Sequence, residues 1–226
     1  MAVAMLSDAD HDRVSAAVSA AEATTAGEIV TIVTERSDGY TDVALAWAAL
    51  VAATALLALS LLPAFYLGLI DRITGTWANE WTPGEIFLVA LAVATLKFLG
   101  ILLIQLWPPL KYALIPGAVK SRRVLVRAIT CFKVGAERRT HGRTGILIYL
   151  SLREHRAEIV ADAAIASKVA PEVWGEAMAA MLVEIKAGRL ADGMIAAVER
   201  VGAVLAEHFP RAENDINELP DRLIEV

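Results

Sequence analysis

The stretch GEIVTIVTERSDGY, residues 27–40, decides how the chain is organised. Ile29, Val30, Ile32 and Val33 are branched residues that suit a pleated, buried surface, and Ser37-Asp38-Gly39 is a turn signal, so the stretch reads as a strand with a stop. Two residues later comes VALAWAALVAATALLALSLL, residues 43–62, a run no soluble sheet can use. A lone strand leaves its backbone donors and acceptors unpaired and has no stability of its own. The strand's partners are therefore expected beyond the apolar insertion.

Composition agrees that part of the chain belongs in lipid. With 226 residues, 57% of them hydrophobic, and a mean hydropathy of +0.53, the chain is too apolar for an ordinary globular domain. A net charge of −5 and a pI near 5.4 argue against a nucleic-acid partner, which would require a clustered basic surface. The single cysteine, Cys131, excludes an internal disulfide or a cysteine zinc cage and reads as a thiol packed in a helix. The start MAVAMLSDADHDR reaches acidic residues before any apolar run and does not read as a signal peptide.

Two segments qualify as membrane spans. Residues 43–62 carry no charge and would be about 30 Å long as a helix, the thickness of the hydrocarbon core. Pro63 bends or ends this run. Residues 86–107 form the second, with Lys97 as the only charge and Pro108-Pro109 as a stop. Trp47, Trp77, Trp81 and Trp107 fall near the expected ends, where amphipathic rings sit. Lys97 reads as shielded by the partner helix, held at a protomer contact or snorkelling, since two helices leave no room for an ion path. After the second span come Lys111, Lys120, Arg122, Arg123 and Arg127, whereas the loop 71–85 holds only Arg72. The positive-inside rule then puts the loop outside and both termini in the cytoplasm of a bacterial inner (plasma) membrane, with membrane lipid as a partner. A hairpin of this kind returns the chain to the side it left.

The missing strands follow. TGILIYLSL, residues 144–152, is a run of the kind buried on both faces of a sheet, REHR turns, and AEIVAD, residues 157–162, is the next strand. Residues 171–187 and 190–209 show helical apolar spacing, as do residues 122–137. Ser7 with Asp10 three residues on makes a capping-box-like start for a first helix. The expected fold is α/β: a small sheet between helices, interrupted by a two-helix transmembrane hairpin. Residues 1–42 supply the first helix and strand, residues 43–110 the hairpin, and residues 111–226 the rest of the domain.

Several motifs carry a resemblance. RTGILIYLSLREHRAEIVAD, a Trp in the following helix (VAPEVWGEAM), IKAGRLADGMIAAVERVGAVLAEHFP and the closing NDINELPD resemble the TPM-domain family of thylakoid-lumen phosphatase-like and photosystem-repair proteins and their bacterial relatives. The early AEATTAGEIVTIVTERSDGY resembles that family's opening passage from helix to strand. The resemblance implies a central sheet between helices and, for some members, acid phosphatase activity or divalent-cation binding. The chain departs from the lumenal members in its hairpin and in its start.

The residues suited to chemistry are acidic. Glu28 begins the first strand, Asp162 follows the third, and Asp215, Asn217, Glu218 and Asp221 crowd the tail. Strand ends at one edge of an α/β sheet form ligand crevices, and oxygen ligands suit Ca²⁺ or Mg²⁺. Glu28, Asp162, Asp215 and Asn217 are thus the expected metal ligands, with a helix cap and a solvated terminus as the plain alternatives for Asp162 and the tail. RRTHGR, residues 138–143, could grip a phosphate but suits anionic headgroups or solvent better. No catalytic residue can be assigned. Two functions remain open: an interaction or assembly and repair accessory module binding an unidentified protein or a second copy of the chain, and a membrane-held, cation-dependent phosphomonoesterase.

Overall fold

The strand at residues 28–34 finds its partners on the far side of the insertion. In the computed structural model, which describes residues 6–75, 80–135, 144–211 and 221–226, β1 (Glu28–Thr34) pairs in parallel with β2 (Gly145–Ser151). Ile29 lies opposite Ile146 and Val33 opposite Leu150. β3 (Arg156–Ala161) runs antiparallel on the outer side of β2, and β4 (Leu223–Glu225) runs parallel on the other side of β1. The result is a mixed four-stranded sheet in the order β3-β2-β1-β4. The sequence reading had no β4, because a strand of three residues gives no periodicity to read.

The chain divides into two units. Residues 1–38 and 117–226 form an α/β unit, and residues 39–116 form a helical unit inserted between β1 and β2. The inserted unit is wider than the expected 43–110, because its first long helix begins at Thr41 and a short helix after the second runs to Leu114.

In the α/β unit, α1 (Asp8–Glu22), α6 (Gly117–Gly135), α7 (Ala163–Ala166), α8 (Val173–Lys186) and α9 (Leu190–His208) surround the sheet. Alternation along β1 and β2 sends residues to both faces, which explains their nearly unbroken apolar character. Ile29, Val33, Ile146 and Ile148 face Val14 and Val18 of α1, Met181 of α8 and Met194, Val198 and Val201 of α9. On the other face, Ile32, Leu147 and Tyr149 meet Val124, Ala128 and Phe132 of α6. The α1 start is the one expected: the Ser7 hydroxyl accepts from the Asp10 backbone N–H at 3.2 Å and donates to the Asp10 carboxylate at 2.7 Å. Helices α1 and α9 approach closely because Gly202 has no side chain. A Cβ there would lie 2.6 Å from that of Ala21, closer than packed atoms can be.

The helical unit holds α2 (Thr41–Leu61), α3 (Pro63–Thr74), α4 (Pro83–Ile104) and α5 (Pro108–Leu114). Each proline that the sequence marks as a stop opens the next helix, since its fixed φ suits a first turn. For this reason α4 ends at Ile104, and Trp107 becomes the residue before α5. Thr82 and Glu85 form a capping box at the start of α4. Gln105 joins the two long helices, its amide donating to the Ala44 carbonyl at 3.2 Å. Helices α2 and α4, with mean hydropathies of 2.2 and 2.6, are long and apolar enough to cross a membrane. Their apolar side chains point outward: Phe87 and Leu96 are 74% and 72% exposed. Lys97 is exposed on α4 and is not shielded by α2, which removes that one of the three expected settings. Trp77 lies outside the described residues.

Candidate functional site: an acidic edge of the sheet

Glu28 and Asp162 end up at one end of the sheet. Glu28 stands opposite Gly145 in the β1–β2 register. Asp162 follows β3 and brackets the same residue, its backbone N–H donating to the Gly145 carbonyl at 2.9 Å and its carboxylate accepting from the Gly145 N–H at 3.1 Å. This is the amino end of the parallel strands, whereas crevices in open α/β sheets usually form at the carboxyl end. Asp162 occupies the position before α7 but makes no side-chain cap bond there; its buried carboxylate is turned to β2 instead.

A cavity of about 70 Å³ opens beside Glu28, lined by Ser19, Glu22, Thr25, Glu28, Arg211 and Asp221. Asp162 does not line it, and Asp215, Asn217 and Glu218 lie outside the described residues. The cavity thus gathers Glu28 and Asp221 from the expected acidic set and adds Glu22. Among the described residues, no three acidic, His or Cys side chains are placed so as to hold a metal ion as they stand.

Glu22 is the residue that sequence reasoning missed. It ends α1 with its side chain buried, and its Oε1 accepts the Ile29 N–H at 2.6 Å, holding the last turn of the helix to the start of β1. Its pKa is pushed up to about 9, first by burial and then by the charges of Glu28 and Asp221, against the lowering effect of the Ile29 N–H. The Ser19 hydroxyl donates to Asp221 across the same cavity. A signal existed in the sequence. Val14, Val18 and Glu22 recur every four residues, so the stripe that buries the two valines carries a carboxyl group inward with them. Chemically, the arrangement is one neutral carboxylic acid beside two further carboxyl groups and the Arg211 guanidinium, able to bind a proton or, once Glu22 ionises, to offer oxygens to a cation.

No known family profile matches the chain, and no characterised protein matches it in sequence. Its fold is similar to that in the NMR structure of BA42 protein from the psychrophilic bacterium Bizionia argentinensis. The two are 17% identical, with a TM-score of 0.57, over 100% of this chain and 99% of that one.

Proposed function

We propose that the protein is a membrane-anchored, TPM-like interaction or assembly accessory module. Residues 39–116 are the anchor, both termini lie in the cytoplasm, and the α/β unit binds a protein partner. The observation that carries the binding role is the outer face of α8. This helix packs on α9 through Ala177 and Met181, yet leaves Leu182 and Val183 exposed, the last at 64%. Gly175 and Ala179 keep the same side low and accessible. Leu182, Val183 and the small residues Gly175 and Ala179 lie exposed among Glu172, Glu176 and Lys186, a mixture of apolar and charged groups compatible with a protein interface. A photocrosslinking residue at Val183 in native membranes should give a discrete adduct that Leu182→Asp abolishes, while the same probe at Glu207 on α9 gives none. Equal labelling from both positions would sink the reading.

A second reading, divalent-cation binding, is favoured by the cavity of Glu22, Glu28 and Asp221. Carboxyl groups close enough to raise the pKa of Glu22 would be relieved by a cation that shares their charge. Ca²⁺ or Mg²⁺ at a hundred times its dissociation constant should stabilise the solubilised protein by about 2.7 kcal/mol, and Glu28→Gln should remove most of that gain. A melting temperature indifferent to either cation at pH 8 rejects the site. Cation-dependent turnover of a generic phosphomonoester in the same samples would move the reading to a phosphatase; binding without turnover would keep it structural.

A further inference from the structure

The carboxyl end of the parallel strands holds a second cleft that the acidic edge does not explain. It has a volume of about 520 Å³ and lies wholly within the α/β unit. Ser37 and Asp38, just past the end of β1, form one side, and Val119, Arg122, Arg123, Val126, Arg127 and Thr130 of α6 form the other. From β1 the chain connects to β2 through α6 on one face, whereas β4 follows α9 on the opposite face. The cleft thus lies at the carboxyl end of the strand where the connections part, the place where open α/β sheets bind ligands.

Its charge is positive and largely uncommitted. Arg123 pairs with Asp38 at 2.7 Å, which offsets the one carboxylate among the described lining residues. Arg122 and Arg127 are exposed and have no ion-pair partner among the described residues. The wall behind Ser37 is built and rigid. Its N–H donates to the Glu154 carboxylate at 2.8 Å, and its hydroxyl lies 3.0 Å from both the Tyr149 and Ser151 hydroxyls, all three partners being buried. A polar network of this kind, fully bonded, fixes the loop after β1 in one position.

We infer that this cleft binds a phosphate monoester through Arg122 and Arg127, whose guanidinium forks match phosphate oxygens in pairs. Phosphatidate headgroups and soluble organophosphates present the same chemistry. Asp38 stands three residues before the first residue of α2, a candidate span. The lipid source rests on the membrane reading proposed above; the soluble source does not.

The test uses the full chain in neutral detergent. Calorimetric titration with glycerol 3-phosphate and inorganic phosphate probes the soluble source, and mixed micelles containing phosphatidate or phosphatidylcholine probe the lipid one. Saturable binding should weaken at least about tenfold in R122Q/R127Q and stay within about twofold in K133Q/R153Q, which removes two positive charges outside the cleft. Binding should also fall as salt rises. Binding of glycerol 3-phosphate assigns a soluble ligand, and binding of phosphatidate micelles alone assigns a lipid. No saturable binding in either arm overturns the inference, as does a double variant that binds like the wild type or a control that loses as much. Release of the wild-type chain from membranes by alkaline carbonate would sink the anchor while leaving the soluble titration to judge the cleft.

Discussion

Replacing residues 39–116 with a flexible linker of about ten Gly and Ser residues should convert the protein from one that alkaline carbonate leaves in the membrane to one that is soluble and folded. Both apolar clusters of the sheet, on its α1/α8/α9 face and on its α6 face, are made entirely by residues of the α/β unit. So are all the strand pairings. The Asp38–Arg123 ion pair holds the chain leaving β1 beside α6, which begins only six residues before Arg123, so a short linker can join the ends. Closing a shorter loop before β1 meets β2 should even favour folding, by about 0.9 kcal/mol. Cooperative melting by circular dichroism and dispersed amide resonances from the excised chain would bear this out. Insoluble or unfolded material would show that the helical unit supplies stability to the sheet, and retention in membranes would show that the anchor lies elsewhere.

Such an excision works only because the fold is interrupted in sequence and continuous in space, and that much was legible beforehand. Ile29 to Val33 is apolar except at Thr31 and Ile146 to Leu150 is apolar on both faces, a pattern that requires cover on both sides of a sheet, and the structure pairs them directly. The pair of long apolar helices was legible for a similar reason, since residues 43–62 carry no charge and residues 86–107 only one. What escaped was short or tertiary. Leu223 to Glu225 becomes a strand only because β1 offers an open edge to it. Asp162 reads from sequence as a ligand or a cap, and only the β2–β3 pairing shows that Gly145 takes its carboxylate. Neighbouring carboxyl groups were expected at one edge, and Glu28 and Asp221 do share a cavity. Glu22 completes it from the last turn of a first helix that the sequence marks only by its start. The arginines of α6 were read for topology alone, because nothing in the sequence shows that residues 37–38 return to the side of that helix.

Glu22→Gln should make the protein more stable, by an amount that grows with pH. In the folded chain the carboxyl group keeps its proton up to about pH 9, whereas in the unfolded chain it releases it near its ordinary value of 4.5. Between those limits the folded state binds more protons than the unfolded one, so stability contributed by this group is complete below about pH 4.5 and is lost as pH rises toward 9. The whole shift would correspond to about 6 kcal/mol at ~1.36 kcal/mol per unit, and water entry and relaxation around an open cavity reduce the expected loss to about 2–3 kcal/mol. A glutamine keeps the shape, still accepts the Ile29 N–H and cannot ionise, so the slope disappears with the substitution. Wild type and variant should therefore melt within about 2 °C of each other at pH 5, with the variant roughly 4–10 °C higher at pH 9. Glu28→Gln should flatten the same slope in part, because one of the charges that holds Glu22 protonated is gone. Thermal melts of the solubilised protein at pH 5, 7 and 9 decide the matter. A difference between wild type and Glu22→Gln that is constant across that range would mean that Glu22 does not titrate on unfolding. A variant less stable at pH 9 would mean that its carboxylate is ionised and held in the native state.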